Sequence, residues 1–315
     1  MIVVPEKLGW LRSIVKVRGS VLSRIWGRLL FTTLVATALT IGLRDHPQLS
    51  VTQTPFTLIG LALSIFLGFR NNTSYQRFWE GRILWGRLVN TSRSLSRQLL
   101  TLLTPRENTG EGEGAPELRA WQQAMVHRVA AYPHTLRLFL RDERDLAELG
   151  RLIPPEEVPG LAASTNPPMR LVQGLGERVS EAWRRGWLDT YHLPVLERSL
   201  SDLIDIQGGC ERIKNTPIPL SYNLLLHRIA AIYCLTLPLG ILKDVGLATP
   251  LVVLLVSYAF YGLDAIGDEI EDPFGTEPHD LPLGALSTTI ERNVRDLLGE
   301  TELPPPAQPV GQLLL

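Results

Sequence analysis

Cysteine is almost missing from this chain, with Cys210 and Cys234 the two in 315 residues. Two thiols cannot build a disulfide framework, and no CxxC pair occurs, which argues against a zinc knuckle or a dithiol redox motif. Cys234 lies inside an apolar run and reads as a small buried hydrophobe. An excess of one charge is also missing: 31 Lys and Arg stand against 32 Asp and Glu. Nothing in that balance marks a nucleic-acid partner. No Ser-His-Asp set, Gly-rich phosphate loop or HExxH occurs, so no positive sign of an enzyme is found. His127, His134 and His192 are scattered at no metal-ligand spacing and read as surface or core polar groups. Strand-like alternation is nowhere sustained, and there is no internal repeat. The N-terminus lacks the small-residue cleavage site of a signal peptide.

Long apolar runs are abundant. Hydrophobic residues make up 45% of a chain that is 20% charged, with a mean hydropathy of +0.09. The runs lie near 25–43, 55–69, 220–242 and 245–266, and most of the charge lies between them. A spanning helix needs roughly 20 mostly apolar residues. The first run (IWGRLLFTTLVATALTIGL) qualifies, with Arg28 placed to snorkel. The third qualifies by length but carries His227 and Arg228, and Arg228 is offered Asp264 as a partner. The fourth is apolar on every face until Asp264. The second, about 22 Å long as a helix, falls short of the roughly 30 Å hydrocarbon core. It is better placed inside a bundle than against lipid.

Lys and Arg bias sets the orientation. Basic residues crowd before the first run and after the second, while the loops at 44–54 and 243–250 carry one each. Both termini and the middle segment therefore read as cytoplasmic. Helical periodicity runs through the middle segment, so 70–218 and 267–300 are expected to be cytoplasmic helices. The stretch 105–117 reads as a flexible loop and 153–168 as a Pro-rich connection. The fold class is all-α, with 1–300 one continuous body and 301–315 a Pro-rich tail that is disordered or extended.

The second run passes without a Gly/Pro turn into GFRNNTSYQRFWEGR. At helical spacing Leu61, Ile65 and Phe69 share one stripe, and Gly60, Ser64 and Gly68 share the next. Small residues every fourth position let helices approach closely in a membrane, here suiting a second copy of the same helix. Rings of large apolar groups make constrictions that gate by dewetting. Spacing alone favours the plainer reading, ordinary core contacts. After the fourth run, Asp268, Glu269, Glu271, Asp272, Glu277 and Asp280 surround the turn Pro273-Phe274-Gly275. Oxygen ligands along a turn suit a hard cation such as Ca²⁺. Without an EF-hand pattern, the spacing alone favours a solvated acidic loop.

Three motifs change the balance: FLGFRNNTSYQRFWEGRILWG, IPLSYNLLLHR and DEIEDPFGTEPHDLPL. Together with the four-run layout they resemble the bestrophin family, in its bacterial branch, over nearly the whole chain. The resemblance implies a homopentamer around a central ion pathway, with the second helix of each copy lining a narrow neck. By the Leu-Gly-Phe of the first motif, the neck residues would be Leu61, Ile65 and Phe69. Leu61 departs from the Ile or Phe usual in animal members. A second constriction is implied, placed here at Val179. Arg70, Asn71 and Asn72 would be the first groups facing the wet pore mouth. Animal members hold Ca²⁺ at the acidic segment, and the corresponding side chains are Glu269, Asp272, Glu277 and Asp280. Acids replace the family's amides at the first two, and the segment is expected mainly to staple neighbouring subunits.

The expected function is thus an ion channel passing monovalent ions: chloride or another anion by family, with a cation left open for the bacterial branch. Its partners are its own copies, membrane lipid and permeant inorganic ions. No cofactor is required, and Ca²⁺ is the one candidate. Two other readings stand beside it, a membrane scaffold and a metal-dependent enzyme using 268–280. Flux into liposomes separates the channel from the scaffold, and loss of an assayable turnover on Asp272→Asn would favour the enzyme.

Overall fold

The computed structural model describes residues 19–44, 51–104, 115–309 and 313–314. The basic residues before Gly19 and parts of the 44–54 loop, the 105–117 loop and the tail lie outside these. Among the described residues the fold is helical without a strand, and Leu103 and Leu188 make an isolated antiparallel bridge. The helices are α1 (Leu22–Gly42), α2 (Gln53–Thr101), α3 (Ala115–Leu140), α4 (Val158–Ala162), α5 (Pro167–Arg184), α6 (Leu193–Asn215), α7 (Leu220–Val245), α8 (Thr249–Glu271) and α9 (Leu283–Asp296). Ala115 to Glu117, read from sequence as loop, already form the start of α3, and α4 interrupts the Pro-rich connection. Pro167 opens α5, where the preceding Asn166 side chain accepts the Met169 N–H at 3.1 Å.

Helix α2 organises the molecule. Its 49 residues extend about 73 Å, so the junction at Gly68 is a continuous helix, as the absence of a turn signal predicts. Its buried positions recur at three and four residues along the whole length: Gly60, Leu63, Leu67, Arg70 and Ser74, then Gly81, Leu84, Leu88, Leu95 and Leu99. That spacing keeps one face inward over many turns. The first half packs with α1, α7 and α8 in two apolar clusters, built around Leu63, Leu67, Leu226 and Tyr261 and around Ala36, Leu237 and Val253. The second half joins a larger cluster with α3, α5, α6 and α9. Helices α1 and α2 and the α7–α8 pair are long and apolar enough to cross a membrane.

Glycines mark where helices come closest. A Cβ on Gly240 of α7 would stand 2.2 Å from the Phe56 ring, and one on Gly60 would stand 2.6 Å from the Tyr233 hydroxyl. Gly60 therefore packs against α7 of its own chain, not against a second α2. Gly68 keeps open space around it and remains free for such a contact. Within the polar half, α3 is nearly enclosed: Tyr132 donates to Leu203 O at 2.8 Å, and Ser287 of α9 donates to Pro133 O at 3.2 Å. His134 and His127 are structural. His134 lies 2.9 Å from the buried Glu291 carboxylate, and His127 lies 2.5 Å from Glu300. The described part of the tail is extended and tied down, with Arg292 donating to Pro304 O and Arg295 to Glu302 O.

Candidate functional site

The face of α2 opposite its buried stripe is apolar and uncovered. Leu61 is 61% exposed, Ile65 49% and Phe69 64%. Leu58 and Phe66 lie exposed beside them. Core contacts within one chain do not account for this stripe, because Leu63 and Leu67 already fill that role. The row is left for lipid or for other copies of the chain.

Immediately beyond Phe69 the helix meets charge. Arg70 turns inward, not toward a pore mouth. Its Nη1 donates to Asp264 Oδ1 at 2.8 Å and to Asp264 O at 3.2 Å, and its Nη2 donates to Asp268 Oδ1. The side chain is fully buried, because position 70 continues the stripe of Leu63 and Leu67. Arg70 is therefore withdrawn from the mouth set. Asn72 is exposed, and Asn71 is half-buried with its Oδ1 directed at Gly267 of α8. Arg28 of α1 reaches within 3.6 Å of Asp264 Oδ2, and His227 Nδ1 lies 2.7 Å from the same oxygen. Asp264 thus takes Arg70, Arg28 and His227 as partners, while Arg228 is exposed. The sequence reading finds His227 and Asp264 by the rarity of ionisable residues in apolar runs, but it offers the acid to Arg228 and misses Arg70.

Val179 does not line a passage. It is fully buried on the apolar stripe of α5 with Val172, Leu175 and Ala182. Spacing of three and four turns these residues into the polar-half core, so the second-constriction assignment is withdrawn.

The acidic segment is only partly assembled. Glu269 faces His279 at 3.6 Å, and Glu277 is drawn to Arg24 at 3.1 Å. Asp272 and Asp280 flank Gly275, where a Cβ would stand 2.5 Å from Asp280 and 4.0 Å from Asp272. The four proposed ligands do not converge as a set. Among the described residues, the one group of three or more ligating side chains is His227, Asp264 and Asp268. There the Arg70 and Arg28 guanidiniums already balance both carboxylates. The segment staples its own chain: Phe274 is buried against Gly81 of α2, 3.1 Å from where a Cβ would stand, and Arg141 Nε donates to Phe274 O at 3.3 Å. Asp280 accepts the Glu277 N–H at 2.7 Å. Burial pushes its carboxyl up to about 6, with Asp272 and Glu277 repelling it further and the Glu277 N–H opposing.

A second set of contacts gathers helix ends at the base of the apolar helices. Arg77 donates from Nε to Glu271 O at 2.9 Å and from Nη2 to Ile213 O at 2.7 Å, holding the last carbonyls of α8 and α6. The Glu271 carboxylate accepts the Ile218 N–H at 2.9 Å, just before α7 begins. Arg70 and Arg77, seven residues apart, thereby grip the same helix, α8.

Comparison with known proteins agrees with this architecture. The family model described as bacterial/fungal bestrophin protein matches residues 1–296. A voltage-dependent anion channel-forming protein of Ralstonia nicotianae is 41% identical over 305 residues, covering 96% of each chain. The voltage-dependent anion channel-forming protein YneE of Salmonella typhi is 38% identical over 306 residues, again covering 96% of each. A crystal structure of a bacterial bestrophin homolog from Klebsiella pneumoniae superimposes with a TM-score of 0.81 at 36% identity, covering 88% of this chain and all of the other.

Proposed function

The chain belongs to the bacterial and fungal bestrophin family, and from that premise we propose that its copies assemble into an anion channel of the bacterial inner membrane. The family is one of ion channels and not of enzymes, and the helices place the protein in a membrane. The observation that carries the pathway is the stripe of Leu61, Ile65 and Phe69, uncovered in the single chain on a helix whose opposite face is buried throughout. Five copies arranged with these stripes inward would stack three apolar rings into a neck. A dry ring opposes a hydrated ion without needing a fixed charge, so side-chain motion of Ile65 and Phe69 would gate the flow. Asn72 and the exposed polar residues after it would face the wet side. Both termini would lie in the cytoplasm, by the Lys and Arg bias.

The relatives named as anion channel-forming support an anion as the permeant species. Monovalent anions, chloride among them, are the ions we propose; the neck itself carries no charge to choose between signs. Reconstitution of the purified protein in planar bilayers tests both points. Ile65→Ala is expected to raise conductance by widening the middle ring, and an unchanged current would count against a neck at this stripe. Bi-ionic reversal potentials identify the ion. Sealed liposomes with no flux under any ionic condition would favour a scaffold.

A further inference from the structure

Five charged or titratable side chains from all four apolar helices meet one residue beyond Phe69: Arg28 of α1, Arg70 of α2, His227 of α7, and Asp264 and Asp268 of α8. We propose that Arg70 is the positioning residue of the neck, fixing α2 against α8 through Asp264 and Asp268.

The case rests on geometry. Above Arg70, the inward face of α2 meets α8 through Leu63 and Leu67, whose apolar contacts have no preferred direction, while the close approach at Gly60 is to Tyr233 of α7 and not to α8. The guanidinium is different. It is planar, fully buried and bonded to two carboxylates one helical turn apart on α8. Charge-assisted bonds of this kind fix both distance and angle. Asp264 is itself buried and held by Arg28 and His227, so the anchor is rigid. A helix passes a displacement at Arg70 directly to Phe69, its neighbour.

His227 lies against the same two acids: its Nδ1 is 2.7 Å from Asp264 Oδ2, and its Nε2 is 3.7 Å from Asp268 Oδ1, the oxygen that Arg70 uses. Arg228 follows on α7 but is exposed. A metal ion is a poor occupant here, since two guanidiniums already offset the two carboxylates.

The geometry stands by itself, and only the flux readout rests on the channel reading. Cys210 and Cys234 are buried, so a nitroxide on Phe69→Cys reports position 69. Spectra of this chain in lipid vesicles are compared with and without Asp268→Asn and Asp268→Glu. Chloride efflux is measured in parallel with Phe69 intact. Asp268→Asn is expected to loosen the label and change efflux about tenfold, the effect of losing one charged hydrogen bond. Asp268→Glu, which keeps the carboxylate, is expected to hold the label closer to the wild type. A label and an efflux that ignore Asp268→Asn would overturn the positioning role, as would a label loosened equally by both variants. Should Asp268→Asn fail to fold, Arg70→Lys decides, because it keeps a cation and loses the fork that reaches both acids; a label unmoved by it would overturn the proposal. A responding label in vesicles without wild-type efflux would sink the channel reading and keep this one.

Discussion

Replacing Asp280 by asparagine is expected to stabilise the protein at neutral pH. Asp280 is buried, and its carboxyl is raised from 3.8 to about 6 by burial, with repulsion from Asp272 and Glu277 added. A carboxyl whose folded pKa lies above its unfolded value favours the fold most when protonated. Its contribution is therefore complete below the unfolded value and is lost as pH rises through about 6. A shift of about 2 units corresponds to about 3 kcal/mol. Asp280→Asn keeps an oxygen to accept the Glu277 N–H and removes the charge, so it recovers that energy at neutral pH. For a chain of 315 residues the gain reads as roughly 4–5 °C in Tm. Thermal unfolding in detergent, followed by tryptophan fluorescence across a pH series, measures it. The variant and the wild type should coincide near about pH 4 and separate as pH rises. Equal stability at neutral pH would refute the reasoning, as would a gap that persists in acid. A hard cation held by Asp280 would reverse the sign, since the asparagine would weaken a ligand. Calorimetric titration with Ca²⁺ reads that alternative directly, and no heat would leave the segment as a staple only.

Glu291 should behave in the opposite sense. Burial opposes its charge, but bonds from His134 and Arg151 outweigh burial and hold it at about 2, so its contribution is present above about 4.5 and is lost as pH falls toward about 2. Glu291→Gln is expected to cost about 3 kcal/mol at neutral pH, whereas the exposed Glu197→Gln should leave Tm within about 1 °C. Gly240→Ala should destabilise by about 1–3 kcal/mol by displacing the Phe56 ring. Pairing it with Phe56→Ala should return part of that loss, and a double variant no better than the sum would remove the steric explanation.

Much of the architecture was legible in the residues. The apolar runs announced the membrane helices within a few residues, because a spanning helix needs length and hydropathy and little else. The unbroken join at Gly68 predicted one long α2, and no turn chemistry contradicted it. The exposed stripe of Leu61, Ile65 and Phe69 was visible as a stripe. Helical spacing alone could not say which stripe faces the chain's own core, since the opposite one, with Leu63 and Leu67, is also apolar.

Direction is what periodicity leaves open. The resemblance puts Arg70, directly after the neck residue Phe69, at the pore mouth. Its place in the inward row of Leu63, Leu67 and Ser74 turned it instead to Asp264 and Asp268, nearly 200 residues away in the chain. Val179 was read as lining a passage and is buried on the apolar stripe of α5. The acidic cluster looked like one ligand set, but His279, Arg24 and the backbone of Glu277 divide it. The sequence by itself determined which segments are helices, which of them suit a membrane and where charge is excluded. These follow from local composition and backbone geometry. Tertiary structure alone decided which carboxylate meets which guanidinium, because a buried charge selects its partner by distance in space, and the chain brings those partners together only when α1, α2, α7 and α8 pack.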